Sequence, residues 1–170
     1  EKVKRTSAQQ RGTKEAAAFP TVALVGSQTS GPSTLFNVLT GAEVFAPDLL
    51  FATLDTTVRK LALPGGREVM LSDTVGFVSE LPHDLVAAFR ATLEEVVEAD
   101  VILHVRDISN PDHPAQALDV VGVLNELGVA SDKPVIEVWN KIDKVSRNDA
   151  GAPDFVVGAE PAGTVVGTVD

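Results

Sequence analysis

The segment Gly26-Ser27-Gln28-Thr29-Ser30-Gly31-Pro32-Ser33-Thr34 constrains this chain more than any other, because it joins a short apolar run, Thr21 to Val25, to a helical one. Glycines at that junction let successive backbone N–H groups converge on one point at a helix N-terminus, which favours an anion. The pattern matches a phosphate-binding P-loop, G-x-x-x-x-G-K-[ST], with one departure. Gly26, Gly31 and Ser33 keep their places, and Ser33 offers its hydroxyl to Mg²⁺, but Pro32 stands where the motif has the lysine that reaches the β- and γ-phosphates. A strand-loop-helix unit of this kind belongs in an α/β sheet.

From Thr21 onward, strand-like and helix-like segments alternate, as in an α/β domain with a mainly parallel sheet. Strands are expected at Thr21 to Val25, Val58 to Ala62, Val69 to Ser72, Val101 to Arg106, Val135 to Trp139 and Phe155 to Val157, each short and rich in β-branched or other apolar residues. Pro64-Gly65-Gly66 joins the second and third so tightly that they must pair antiparallel, giving one edge hairpin. Helices are expected at Ser33 to Leu39, Asp84 to Glu98 and Pro114 to Leu127, where Gly128 stops the last. Apolar residues at helical spacing give each one a core-facing side, and in a P-loop α/β domain helices are expected on both faces of the sheet. Only Lys144 to Asp154 separate the fifth strand from the sixth, too few residues for a covering helix, so the C-terminal part is expected to be truncated or irregular. The expected organisation is a helical or disordered linker over 1–19, one phosphate-binding α/β domain over 20–159 and an irregular tail over 160–170.

Composition narrows the functional classes. The chain has 170 residues and no cysteine, which excludes disulfides and thiolate-bound metal, and it lacks an apolar run long enough to span a membrane. Its opening residues do not read as a secretory signal, so a cytoplasmic location is expected. A net charge of -10 argues against direct DNA binding by the bulk of the domain. Lys2, Lys4, Arg5, Arg11 and Lys14 form a local basic run, read as a solvated helical segment with an RNA-contacting segment as the alternative.

Three further segments fall in the order of a guanine-nucleotide domain. Asp73-Thr74-Val75-Gly76 ends the third strand, where a carboxylate can hold Mg²⁺ through water and a glycine N–H can approach the γ-phosphate. Asn140-Lys141-Ile142-Asp143 follows the fifth strand. The Asp143 carboxylate can accept from guanine N1–H and the exocyclic amine, whereas adenine would leave it unpaired. Asn140 would tie this loop to the P-loop, and the Lys141 stem would cover the ring. Phe51-Ala52-Thr53-Leu54-Asp55 lies where a mobile loop closes over the metal, with Thr53 supplying its hydroxyl to Mg²⁺ and its N–H to the γ-phosphate. An ATP-using P-loop enzyme is disfavoured by Asp143. His83, His104 and His113 lack metal-ligand spacing and read as packing residues; Asp107 and Asp112 read as turn residues around Pro111; Trp139 reads as strand packing.

Residues 20–143 resemble the G domain of the HflX family of ribosome-associated GTPases, through Ser33-Thr34-Leu35-Phe36-Asn37, Leu50-Phe51-Ala52-Thr53-Leu54-Asp55, Ser72-Asp73-Thr74-Val75-Gly76-Phe77 and Ala91-Thr92-Leu93-Glu94-Glu95-Val96. The resemblance implies a P-loop NTPase fold that binds GTP or GDP with Mg²⁺, slow GTP hydrolysis accelerated on the large ribosomal subunit, and a guanine contact at Gly158-Ala159. It also implies Phe77 where many GTPases carry a water-orienting glutamine. The family's P-loop reads G-Y-T-N-A-G-K-S, so this chain departs at Ser27, Gln28, Thr29, Ser30 and Pro32, and it lacks the proline expected at Thr56. The family's N-terminal domain has no counterpart in these residues. A nucleotide-free pseudo-GTPase, acting as an interaction module, is the competing expectation.

Overall fold

In the computed structural model, the described residues are 19–41, 57–74, 76, 93–129, 132–146 and 165–166. They form a six-stranded sheet: β1 (Thr21–Gly26), β2 (Thr57–Ala62), β3 (Glu68–Asp73), β4 (Val101–Asp107), β5 (Val135–Asn140) and β6 (Val165–Val166). The spatial order is β2-β3-β1-β4-β5-β6. All neighbours are parallel except β2 and β3, which form the expected edge hairpin. Gly65 and Gly66 make that turn at φ 92° and 81°, conformations that β-carbons disfavour.

The helices follow from their punctuation. α1 (Pro32–Thr40) starts at Gly31, left-handed at φ 85°, and ends at Gly41, φ 64°. α2 is described over 93–98. α3 (His113–Glu126) ends in a Schellman turn, with Gly128 N donating to Asn125 O and Val129 N to Leu124 O. Lys133, from the loop before β5, brings its ammonium to the Val97 and Ala99 carbonyls and caps the C-terminal end of α2.

Alternation along β1 divides the core. Ala23 and Val25 pack with Leu93, Val96, Ala99, Ile102, Val120 and Leu124 beneath α2 and α3. Leu24 points the other way, joining Leu35, Phe36, Leu71 and Val105 beneath α1. The helices therefore lie on both faces, as the sequence predicts.

A further short strand stands at the edge of the sheet, apart from the segment read as the sixth strand. Phe155 to Val157 lies outside the described residues, and the strand beside β5 is Val165–Val166, pairing Val138↔Val165 and Trp139↔Val166 within the segment read as an irregular tail. Val165 and Val166 are β-branched, and their pairing covers the otherwise open edge of β5.

Candidate nucleotide site

Because β1, β3, β4 and β5 are parallel, their C-terminal ends share one edge of the sheet, where the loops of an α/β domain form its binding crevice. The loop after β1 is tightly wound. Ser30, fully buried, donates from both its N–H and its Oγ to Ser27 O, at 3.1 and 2.8 Å. Ser27 Oγ in turn donates to Gln116 Oε1 of α3 at 3.2 Å. A β-carbon on Gly26 would stand 2.4 Å from Ser30 Oγ and 2.5 Å from Val105 O, so glycine is required there. Pro32 is buried at the first position of α1, where its fixed φ suits the helix and no intrahelical N–H is lost. That first turn carries no acidic residue and no side-chain cap, leaving the positive end of the helix to the loop.

At the end of β3, Asp73 and Thr74 are buried, and Thr74 Oγ1 donates to Leu24 O at 2.6 Å, fixing the segment against β1. Gly76 lies against the P-loop: a β-carbon there would meet Gln28 Cα at 2.9 Å. Ser33 and Asp73 offer hydroxyl and carboxylate oxygens, the hard donors that suit Mg²⁺. Thr53, with the rest of Phe51 to Asp55, lies outside the described residues, as do Val75, Phe77, Gly158 and Ala159.

The loop after β5 is sewn to the first. Asn140 Nδ2 donates to Ser30 O at 2.9 Å, which is the tie predicted from sequence, and its Oδ1 accepts from Lys141 N. Lys141 Nζ donates to Thr29 O at 2.6 Å and to Asp107 Oδ2 at 2.8 Å. Lys141 is, among the described residues, the one non-glycine with positive φ, 61°, and it opens the short 3₁₀ turn Ile142–Lys144 that carries Asp143.

Asp107 is the residue that sequence reasoning missed. It does sit in a turn, with Oδ1 accepting from Ser109 N and Oγ, but its other oxygen holds Lys141. Burial would raise its carboxyl pKa, and the hydrogen bonds from Lys141 and Ser109 outweigh burial, leaving it below the ordinary value. Only the β4–β5 register, which sets Asp107 beside Asn140, could reveal this. Arg106 is committed to Glu137 at 2.8 Å and to His113 Nδ1 at 2.9 Å. Glu137 also accepts from Trp139 Nε1, and Trp139 is buried beside the loop as expected. His104 is a core residue: burial pushes its pKa down to about 4, so it is neutral.

A parallel sheet with one antiparallel edge strand, a glycine-framed strand-to-helix loop and an Asn-Lys-Ile-Asp turn tied to it define the G-domain class of P-loop GTPases. Comparison with known proteins agrees. The chain belongs to the family described as 50S ribosome-binding GTPase, which matches residues 21–141, and its G domain is of the HflX type. It is 54% identical over 134 residues to GTPase HflX of Caldanaerobacter subterraneus, covering 79% of this chain and 31% of that protein. The corresponding match to GTPase HflX of Escherichia coli K12 is 42% over 163 residues, 92% of this chain and 38% of that one. The chain thus spans about a third of the length of these relatives. Among solved structures, a GTP-binding protein from Sulfolobus solfataricus in complex with GDP is similar with a TM-score of 0.57 and 30% identity, over 83% of this chain and 42% of that one. Era in complex with MgGDPNP and a segment of 16S ribosomal RNA gives 0.62 and 28%, over 75% and 42%.

Proposed function

We propose that this domain binds guanine nucleotide with Mg²⁺ across the loops following β1, β3 and β5, and that Pro32 leaves it with weak affinity and impaired GTP hydrolysis. The observation that carries the proposal is the pair of hydrogen bonds from Asn140 and Lys141 to Ser30 O and Thr29 O, which joins a base-reading loop to a phosphate-binding one.

In this assignment Gly26 to Thr34 and Asp73 to Gly76 face the phosphates, Asn140 to Asp143 with Gly158-Ala159 face guanine, and Ser33 and Thr53 hold the metal. Bound Mg²⁺ would neutralise charge on the β- and γ-phosphates. Asp143 selects guanine by accepting from its N1–H and amine, and Thr74 keeps Asp73 and Gly76 aligned with the P-loop through Leu24 O. Phe77 offers no amide to orient a water, so intrinsic hydrolysis is slow. The proposed partner is the large ribosomal subunit, after the family's description and its HflX relatives. A cytoplasmic setting, without DNA binding, goes with it. Among the described residues no helix is long and apolar enough to cross a membrane.

Pro32 removes a charge-assisted contact and one N–H donor, together worth about 3 kcal/mol, or roughly a hundredfold in affinity. Titration with a fluorescent GTP analogue tests this. Weak binding that Pro32→Lys tightens by about a hundredfold is expected; micromolar or tighter binding by the chain itself would overturn the impairment. No binding by either form supports the second reading, a nucleotide-free interaction module, which the proline in place of the P-loop lysine favours.

A further inference from the structure

The turn Asp107-Ile108-Ser109 after β4 belongs to none of the nucleotide-facing segments, yet it is built onto the Asn140–Lys141 loop at three points. Asp107 pairs with Asn140 in the sheet register, Ile108 N donates to Asn140 O at 3.3 Å, and Lys141 Nζ lies 2.8 Å from Asp107 Oδ2. The carboxylate is itself fixed, because Oδ1 accepts from Ser109 N at 3.1 Å and Ser109 Oγ at 2.5 Å. Its side chain is only 8% exposed, so the ion pair is shielded from solvent on that side.

Lys141 needs such an anchor. A left-handed backbone is unfavourable for a residue with a β-carbon, and Lys141 adopts one at the step where the chain leaves β5 and turns Asp143 into place. Two acceptors hold its ammonium there, Thr29 O of the P-loop and Asp107. We infer that Asp107 is a positioning residue for base recognition, which orients Asp143 toward the guanine edge by clamping Lys141 across the P-loop. The inference rests on the nucleotide site proposed above and assigns within it a residue that touches no nucleotide.

The role separates from simple stability by what it does to base selectivity. Asp143 reads two groups on guanine, N1–H and the exocyclic amine, and inosine keeps only the first. A misplaced Asp143 therefore narrows the preference for GTP over ITP, whereas a generally loosened fold weakens every ligand alike. NMR titration, which reads millimolar affinities, compares GTP, ITP and inorganic tripolyphosphate on the parent chain, Asp107→Asn and Ser109→Ala. Asp107→Asn is expected to lower the GTP:ITP affinity ratio by roughly tenfold with tripolyphosphate binding unchanged. Ser109→Ala, which leaves the charge and frees only its orientation, should lower the ratio less. A GTP:ITP ratio unchanged in both folded variants, or equal losses for all three ligands, overturns the inference alone. A parent chain that binds neither nucleotide overturns the guanine site and this inference with it.

Discussion

Pro32 and Gly26 show how differently two positions of one loop tolerate change. Pro32 replaces a functional side chain at a position where the helix welcomes it, so the fold is unaffected and only ligand chemistry is lost. Gly26 has no such latitude, since one of the two atoms its β-carbon would strike is the backbone oxygen of Val105. Gly26→Ala should destabilise the domain by about 2–3 kcal/mol in urea unfolding. His104 makes a pH-dependent contribution. Its folded pKa of about 4 lies below the ordinary 6.5, so as pH falls the unfolded chain takes up the proton first. Stability from this residue is complete above pH 6.5 and declines by about 3 kcal/mol on the way down to pH 4. His104→Leu should flatten that part of the stability–pH curve. Asp107 and Glu137, whose carboxyls are held below their ordinary values, add losses in the same direction at lower pH.

Among the elements, α2 depends on a side chain distant in sequence. Lys133 satisfies carbonyls that the end of α2 leaves without intrahelical partners. Lys133→Met, which keeps the length of the stem and removes the charge, should cost about 1–2 kcal/mol and speed amide exchange in residues 93–98. α1 and α3, by contrast, carry their own punctuation. Gly31, Gly41 and Gly128 stand where left-handed backbone is needed, which is why the sequence places both helices to within a residue. The strands β1 to β5 are equally legible from their apolar runs, and the β2–β3 hairpin from Pro64-Gly65-Gly66. β6 was not, because a two-residue strand has no pattern of its own and exists through pairing with β5.

For the whole molecule, the proposed affinities can be read as stabilities. At a GTP concentration a hundredfold above its Kd, the Pro32→Lys protein should gain about 2.7 kcal/mol, and the parent chain, binding a hundredfold more weakly, only about 0.4 kcal/mol at the same concentration. Thermal melting with GTP and with ATP reads both, and only GTP should shift the midpoint. The amino-acid sequence by itself determined the strand-loop-helix unit, the order of the nucleotide-facing segments and the loss of the lysine, because glycine spacing, apolar periodicity and residue identity are local properties. The tie from Asn140 to the P-loop was legible too, but only the tertiary structure decided that it lands on Ser30 O, that Lys141 reaches Thr29 O, that Asp107 holds Lys141, and that Arg106 is engaged by Glu137 and His113. Those partners are 34, 110 and 112 positions apart for the Lys141–Asp107, Asn140–Ser30 and Lys141–Thr29 contacts. Sheet register brings them together, and register depends on how the faces of separate strands pack against α1, α2 and α3.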